Sequence, residues 1–355
     1  MSRVLIAVLV GGLATGLAVA ESDDFVMGNY AGEFVQGWGA RTVRAQVVAL
    51  PLGRYKAVLY VSAPNAPAPE LPPHVGSARG GETRVEVLGR RKPGTGRKED
   101  FGGNEVKAKR AAVIEFEGEV NLDKEYDFAG TITNETFKGA FAGANGAEFA
   151  LKRVHYESPT LGHPAPEGAA VLLAGENLDA WNVQPHWQLQ GDGSMRTVGS
   201  SITSKQEFGD VQYHVEFLCP FMPNETGQAR GNSGVYVAGR YEVQVLDSFT
   251  DEPKDNLCGG IYQKATPVVN ASLPPLAWQT YDITFTAPRF DASGKKTENA
   301  VITVKLNGVT IHDKVVLPDV TPGGVSGEDA AKGVLMLQDH GDAVRYRNVW
   351  VKPLG

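Results

Sequence analysis

The sequence predicts an all-β protein in two parts: a small N-terminal β-sheet or barrel, then a larger pair of packed antiparallel sheets. Apolar runs are short and alternate strictly with polar residues, which is the periodicity of strands. Gly and Pro, 42 and 21 of 355 residues, break these runs at close intervals. Roughly 335 residues would follow a cleaved leader, more than one hydrophobic core usually supports, so two domains are the default.

The leader is residues 1–20. Met-Ser-Arg precedes an apolar run, Val4 to Leu17, and Ala18-Val19-Ala20 offers small residues for cleavage. That is the pattern of a secretory signal peptide. The run is shorter than the roughly 20 residues of a membrane span, so no stable membrane span is expected, and the chain reads as exported to a periplasmic or extracellular space.

Residues 21–157 form the expected first domain. Its candidate strands are Thr42–Val48, Arg54–Val61, Ala112–Glu119, Tyr126–Thr133, Thr136–Ala142 and Glu148–Val154, with Asn145-Gly146 suited to a tight hairpin. Ala63–Lys109 carries a Pro-rich piece (Pro64 to Pro73) and a basic piece (Arg90, Arg91, Lys92, Arg97, Lys98), and reads as a long solvated loop. Residues 158–168, rich in turn formers, mark a linker.

The second domain, residues 169–355, has clearer strands: Val211–Phe217, Ser233–Ala238, Tyr241–Leu246, Thr280–Thr286, Val301–Leu306, Val309–Asp313, Val334–Gln338 and Val344–Val351. Asn307-Gly308 joins two of them as a hairpin. Strands at this density with little helix favour two packed sheets.

Charge narrows the partners. With 41 acidic and 34 basic residues, the net −7 gives no electrostatic reason to expect nucleic acid. Cys219 and Cys258 are the only cysteines, which excludes a cysteine-rich zinc module; export would allow them to pair, and two separate small apolar residues fit equally.

The strongest chemical signal lies in Arg240 to Asp247. Alternation puts Tyr241, Val243 and Val245 on one face and Arg240, Glu242 and Gln244 on the other. Gly231-Asn232-Ser233-Gly234 comes just before and Asp247-Ser248 just after. A retaining glycosidase needs two carboxyl groups about 5–5.5 Å apart and an inverting one roughly 6.5–9.5 Å. The same-face neighbour of Glu242, about 6.6 Å along the strand, is Gln244, an amide that is neither nucleophile nor acid. Asp247 falls on the apolar parity and could join Glu242 only where the strand ends or bulges.

A second cluster, Gln338-Asp339-His340-Gly341-Asp342, follows an apolar strand and precedes Arg345. His340 could act as base, acid or metal ligand, although Asp, His and Gly are also ordinary turn residues. No metal motif is present; a divalent ion held by Asp339, His340 or Glu242 stays open. Aromatic residues, Tyr262 among them, could stack on a sugar ring or fill the core.

On these residues the second domain resembles the 3-keto-disaccharide hydrolase family, which has a concanavalin A-like lectin/glucanase fold. The matching segments include Leu178-Asp179-Ala180-Trp181, Gly231 to Tyr236, Arg240 to Ser248, Gly260-Ile261-Tyr262, Trp278 to Asp282 and Leu337 to Gly341. The resemblance implies a jelly-roll β-sandwich, a carbohydrate substrate and cleavage of glycosides already oxidised at C3. For such a reaction Glu242 or His340 would be the base and Arg240 or a metal the oxyanion stabiliser, with Gln244, Asp247, Asn232, Tyr262 and Arg345 binding substrate. A lectin-like sugar-binding module and an ordinary glycoside hydrolase pairing Glu242 with Asp247 or Asp339 are the competing readings.

Overall fold

A computed structural model of the chain describes residues 27–37, 41–63, 75–78, 82–92, 113–122, 125–143, 146–182, 187–196 and 199–355. The leader, the Pro-rich piece, Arg97, Lys98 and Asn145 lie outside the described residues. Among the described residues no helix is long and apolar enough to cross a membrane.

The first domain is a closed eight-stranded barrel. Gly28–Gln36, Thr42–Leu50, Arg54–Ser62, Glu82–Arg91, Val113–Asn121, Glu125–Thr133, Thr136–Ala142 and Ala147–Val154 pair in chain order, each antiparallel to the next, and the last pairs with the first. Alternation drives it: in Val113–Asn121, Ile114 and Phe116 are buried while Glu115 and Glu117 face out. Eight strands leave an interior just wide enough for side chains. Tyr30, Phe116, Phe128, Phe137, Phe141 and Phe149 occupy it, the Phe137 and Phe149 rings edge-on at 5.4 Å.

Two of these strands correct the sequence reading. Glu82–Arg91 sits inside the stretch expected to be loop, and Arg90 and Arg91 belong to it. Its buried positions are only Val85, Val87 and Gly89, and charged residues on the outward positions mimic a solvated segment. Gly28–Gln36 was hidden by its glycines. At Gly32 a Cβ would lie 2.8 Å from the Ala150 carbonyl, so the close approach that shuts the barrel requires the missing side chain.

The second domain is a two-sheet sandwich of the jelly-roll kind. One sheet has the order Trp181–Asn182, Ile202–Phe208, Gly333–Leu337, Ser233–Val237, Tyr241–Val245. The other runs through Met195–Arg196, Arg345–Pro353, Val211–Leu218, Gln279–Thr286, Ala300–Leu306 and Val309–Leu317. Between them Val235, Tyr241, Val243 and Leu337 meet Tyr213, Val215, Tyr281 and Ile283 in one core. Asn307 and Gly308 turn the expected hairpin with φ of 51° and 80°. Cys219 and Cys258 are separate buried thiols.

The 158–168 segment is strapped to the sandwich: Thr160 donates to Asp282 at 2.6 Å and the Gly162 N–H to Glu216 at 2.6 Å. Residues 75–78 bridge the two domains as well. Arg44 holds them through the Val75 and Ser77 carbonyls. Val75 is fully buried in the sandwich core, and the Gly76 N–H donates to the Asn270 carbonyl at 2.6 Å.

Candidate active site

The strand Tyr241–Val245 is the edge of the five-stranded sheet. Its outer side is covered rather than open. The Gln244 N–H donates to Gly260 O, Gly259 N–H to Gln244 O and Tyr262 N–H to Glu242 O, at 2.9, 3.0 and 3.2 Å. These bonds dress the edge and bring Tyr262 beside Glu242. Tyr241, Val243 and Val245 point into the core, so Glu242 and Gln244 face away from it, as alternation predicts.

The register of the hairpin then supplies a partner. Ser233–Val237 pairs with Tyr241–Val245 so that Tyr236 lies opposite Glu242 and Gly234 opposite Gln244. The Tyr236 hydroxyl donates to Glu242 Oε2 at 2.8 Å. With its amide nitrogen turned toward Glu242, Gln244 donates to Oε1 at 2.9 Å and to the Ser233 carbonyl at 3.3 Å. Gly234 makes room, because a Cβ there would collide with Glu242 Oε1.

Glu242 is thus a buried carboxylate, 3% exposed, held by neutral donors and, among the described residues, by no cation. Burial pushes its pKa up to about 7, against a smaller downward pull from the Tyr236 hydrogen bond. Its backbone N–H donates to Thr321 Oγ1 at 2.8 Å, which ties the strand to the loop carrying Pro322 and Gly323.

A cavity of about 130 Å³ opens over this carboxylate. Glu242, Gln244, Asn232, Tyr262 and His340 line it, together with Gln228, Tyr236, Pro322, Gly323 and Gln338. Five residues singled out from sequence therefore converge. His340 is exposed at the rim. Asn232 is fixed by its own N–H to Asp342 at 2.7 Å and its amide to Gln228 O at 2.8 Å.

Four others do not. Arg240 belongs to the turn rather than the strand: after Ala238 and Gly239, both at positive φ, its guanidinium bonds to Ala238 O and Glu328 O at 2.9 and 2.7 Å. It anchors a loop and does not reach the cavity. Asp247 lies beyond the strand end, buried against Arg230 in an ion pair of 2.7 Å; burial raises its pKa while Arg230 lowers it. Arg345 is in the opposite sheet and bonds Ser194 at 2.7 Å and Asp192. Asp339 accepts the Gly341 N–H at 3.2 Å within its own turn. Among the described residues no three His, Cys, Asp or Glu side chains converge on one point, so the Asp339–His340 donor set does not fit a resident metal.

Gln228 escaped the sequence reading, and Tyr236 and Gln338 stood in segments it singled out without being given a site role. Tyr236 carried a usable signal: pairing across the Ala238–Arg240 turn puts it opposite Glu242. Gln338 reaches the cavity from just past the end of the Gly333–Leu337 strand, and its Nε2 donates to the Tyr236 hydroxyl at 3.3 Å while its Oε1 is buried with no hydrogen-bond partner among the described residues.

Residues 168–352 match the profile of a 3-keto-alpha-glucoside-1,2-lyase-like domain. The chain belongs to this family. A Parabacteroides distasonis protein of solved structure, provisionally described as a glycosyl hydrolase, is 33% identical over 54% of this chain and 86% of its own, with a TM-score of 0.50. Another from the same organism, similarly described, is 17% identical over 53% of this chain and 95% of its own, at a TM-score of 0.40. No curated protein matches. Family membership and the likeness to a glycosyl hydrolase make the chain a carbohydrate-active protein of the 3-keto-alpha-glucoside-1,2-lyase-like family, and its matched span is the sandwich that carries the Glu242 cavity.

Proposed function

We propose that the chain is an exported enzyme that cleaves 3-keto-glycosides, with Glu242 as the base that removes the proton at C2. One observation carries the reading. Among the residues lining the cavity Glu242 is the single carboxylate, and its burial sets its titration near neutral pH. A general base works best with a pKa near the working pH, whereas ordinary glycoside hydrolysis needs a pair of carboxyl groups.

The chemistry fits one base. A ketone at C3 acidifies the C2 hydrogen. Glu242 takes that proton, and the electron pair forms a C2–C3 enolate with its charge on the C3 oxygen. Collapse of the enolate restores the ketone, forms a C1–C2 double bond and breaks the bond from C1 to the leaving oxygen, which takes up a proton. The products are an unsaturated keto-sugar and an alcohol, with no net oxidation; addition of water across the new double bond gives the hydrolysis product.

Roles for the other lining residues follow from their donors. The Gln338 amide and the Tyr262 hydroxyl are the neutral donors available to the enolate oxygen, the task first expected of Arg240. His340, which lines the cavity at its rim, is the side chain to which this reading gives protonation of the leaving oxygen. Tyr236 and Gln244 position the Glu242 carboxylate.

Purified protein is expected to release the alcohol from a 3-keto-glucoside and to leave the parent glucoside intact. Equal cleavage of both would reject the reading in favour of ordinary hydrolysis. Sugar binding without any product would make the chain a lectin-like module.

A further inference from the structure

The Glu242 cavity, at about 130 Å³, is smaller than the roughly 300–1,000 Å³ typical of sites that enclose a drug-sized ligand. It cannot enclose a disaccharide. A second cavity of about 320 Å³ adjoins it, and Pro322 and Gly323 line both. The shared wall is built closely: a Cβ on Gly323 would lie 2.6 Å from the Tyr236 hydroxyl, the group that bonds Glu242.

The outer cavity adds Gln263, Lys264 and Ser326. Gln263 follows Tyr262 directly and holds a positive φ of 57°, a conformation that non-glycine residues keep only where the surroundings fix it. Lys264 is exposed and has no acidic partner among the described residues. No aromatic ring and no carboxylate lines this cavity. The side-chain hydrogen-bonding groups it offers a ligand are an ammonium, an amide and the Ser326 hydroxyl, which suit a hydroxyl-rich group and give an aryl group nothing to stack on.

We infer that the outer cavity is the leaving-group subsite, holding the second sugar of a disaccharide whose oxidised ring sits over Glu242, with Lys264 and Gln263 as its specificity-determining contacts. The inference rests on the keto-sugar reading above. The bond from C1 to the leaving oxygen then crosses the ridge at Pro322 and Gly323. The loop behind that ridge is fixed by Thr321, which bonds the Glu242 N–H and the Arg240 carbonyl, and by Arg240, which bonds Glu328 O.

The test compares a 3-keto-disaccharide with the methyl 3-keto-glucoside, which has no second ring, on the full-length protein. The variants are Lys264→Ala and Gln263→Gly, the latter chosen because glycine keeps the positive φ while removing the side chain. Each variant is expected to raise KM for the disaccharide about five- to tenfold, the weight of one or two lost hydrogen bonds. Values of kcat/KM for the methyl glycoside should stay within about twofold of wild type by the same arithmetic. Unchanged disaccharide KM in both variants, or equal losses on both substrates, would overturn the subsite. Wild-type protein inert toward both compounds would instead reject the keto-sugar reading beneath it.

Discussion

The barrel and the sandwich both bury charge, and Arg44 with Glu82 in the one and Glu242 in the other are treated differently. In the barrel Arg44 meets Glu82 through two bonds, 2.7 and 3.1 Å, and stacks over Tyr60 at 3.8 Å, so each charge is answered. In the sandwich Glu242 is as deeply buried and, among the described residues, is met by neutral hydroxyl and amide groups alone. A neutralised pair holds structure in place; an unneutralised carboxylate in a cavity keeps a proton equilibrium near neutrality, the property catalysis uses. The barrel has also used its interior for aromatic packing, whereas one face of the five-stranded sheet lies outside the sandwich core.

The sharpest way to break this contrast is Glu242→Ala. Loss of a positioned general base typically costs about 10²–10⁴-fold in rate, and kcat on a 3-keto-glucoside should fall by that order while the circular dichroism spectrum is kept. Retained turnover would remove Glu242 from the chemistry. The matching change in the barrel, Phe137→Ala, should act on stability instead. Truncating a buried Phe costs about 3–5 kcal/mol, and Phe137 is fully buried between Tyr30, Phe116 and Phe149. Denaturant unfolding should show that loss with kcat per folded molecule unchanged; a specific loss of kcat would tie the barrel interior to function.

Glu242→Gln tests the electrostatic side of the comparison. Below pH 4.5 the glutamate is protonated in both folded and unfolded chains. Between 4.5 and about 7 the unfolded chain releases its proton first, so wild-type stability falls as pH rises, and above about 7 the full penalty is present. At about 1.36 kcal/mol per pKa unit, the variant should exceed wild type by up to ~3 kcal/mol at pH 8, with the gap closing toward pH 4. A gap that does not change with pH would mean that the carboxylate titrates normally. The same titration gives wild-type kcat/KM a limb that rises with pH through about 7.

How much of this was legible in the sequence differs between the two regions for physical reasons. The strand of Glu242 could be read because one face is Tyr241, Val243, Val245 and the other Glu242, Gln244; period two is a local property, and the structure keeps it. Arg240 obeyed the same parity on paper and failed because the backbone leaves strand geometry at Ala238 and Gly239, a matter of φ that parity does not encode. Asp247 failed for a non-local reason, its pairing with Arg230 from another segment. Gln228 and Gln338 reach the cavity from segments far away in sequence. In the barrel, the strands with apolar alternation were visible, while Glu82–Arg91 looked like loop because closure leaves its charged residues on the outer surface.

The smallest expected effect concerns the junction of the two domains. Lys56 and Asp251 face each other across it at 3.0 Å with side chains 16% and 45% exposed. Pairs this exposed contribute about 0–1 kcal/mol and weaken with salt. The junction also has contacts that water does not screen: Val75 buried in the sandwich core, the Gly76 N–H on Asn270 O, and the Asn270 N–H on Ser77 Oγ at 3.0 Å. Asn270 in turn donates to the carbonyls of Ser248 and Asp251, just past the strand of Glu242, so the barrel braces the far end of that strand through neutral groups. Lys56→Ala should therefore shift unfolding by no more than ~1 kcal/mol, and 0.5 M salt should erase most of that difference. A loss several times larger, and sensitive to salt, would mean that charge rather than the buried segment joins barrel to sandwich.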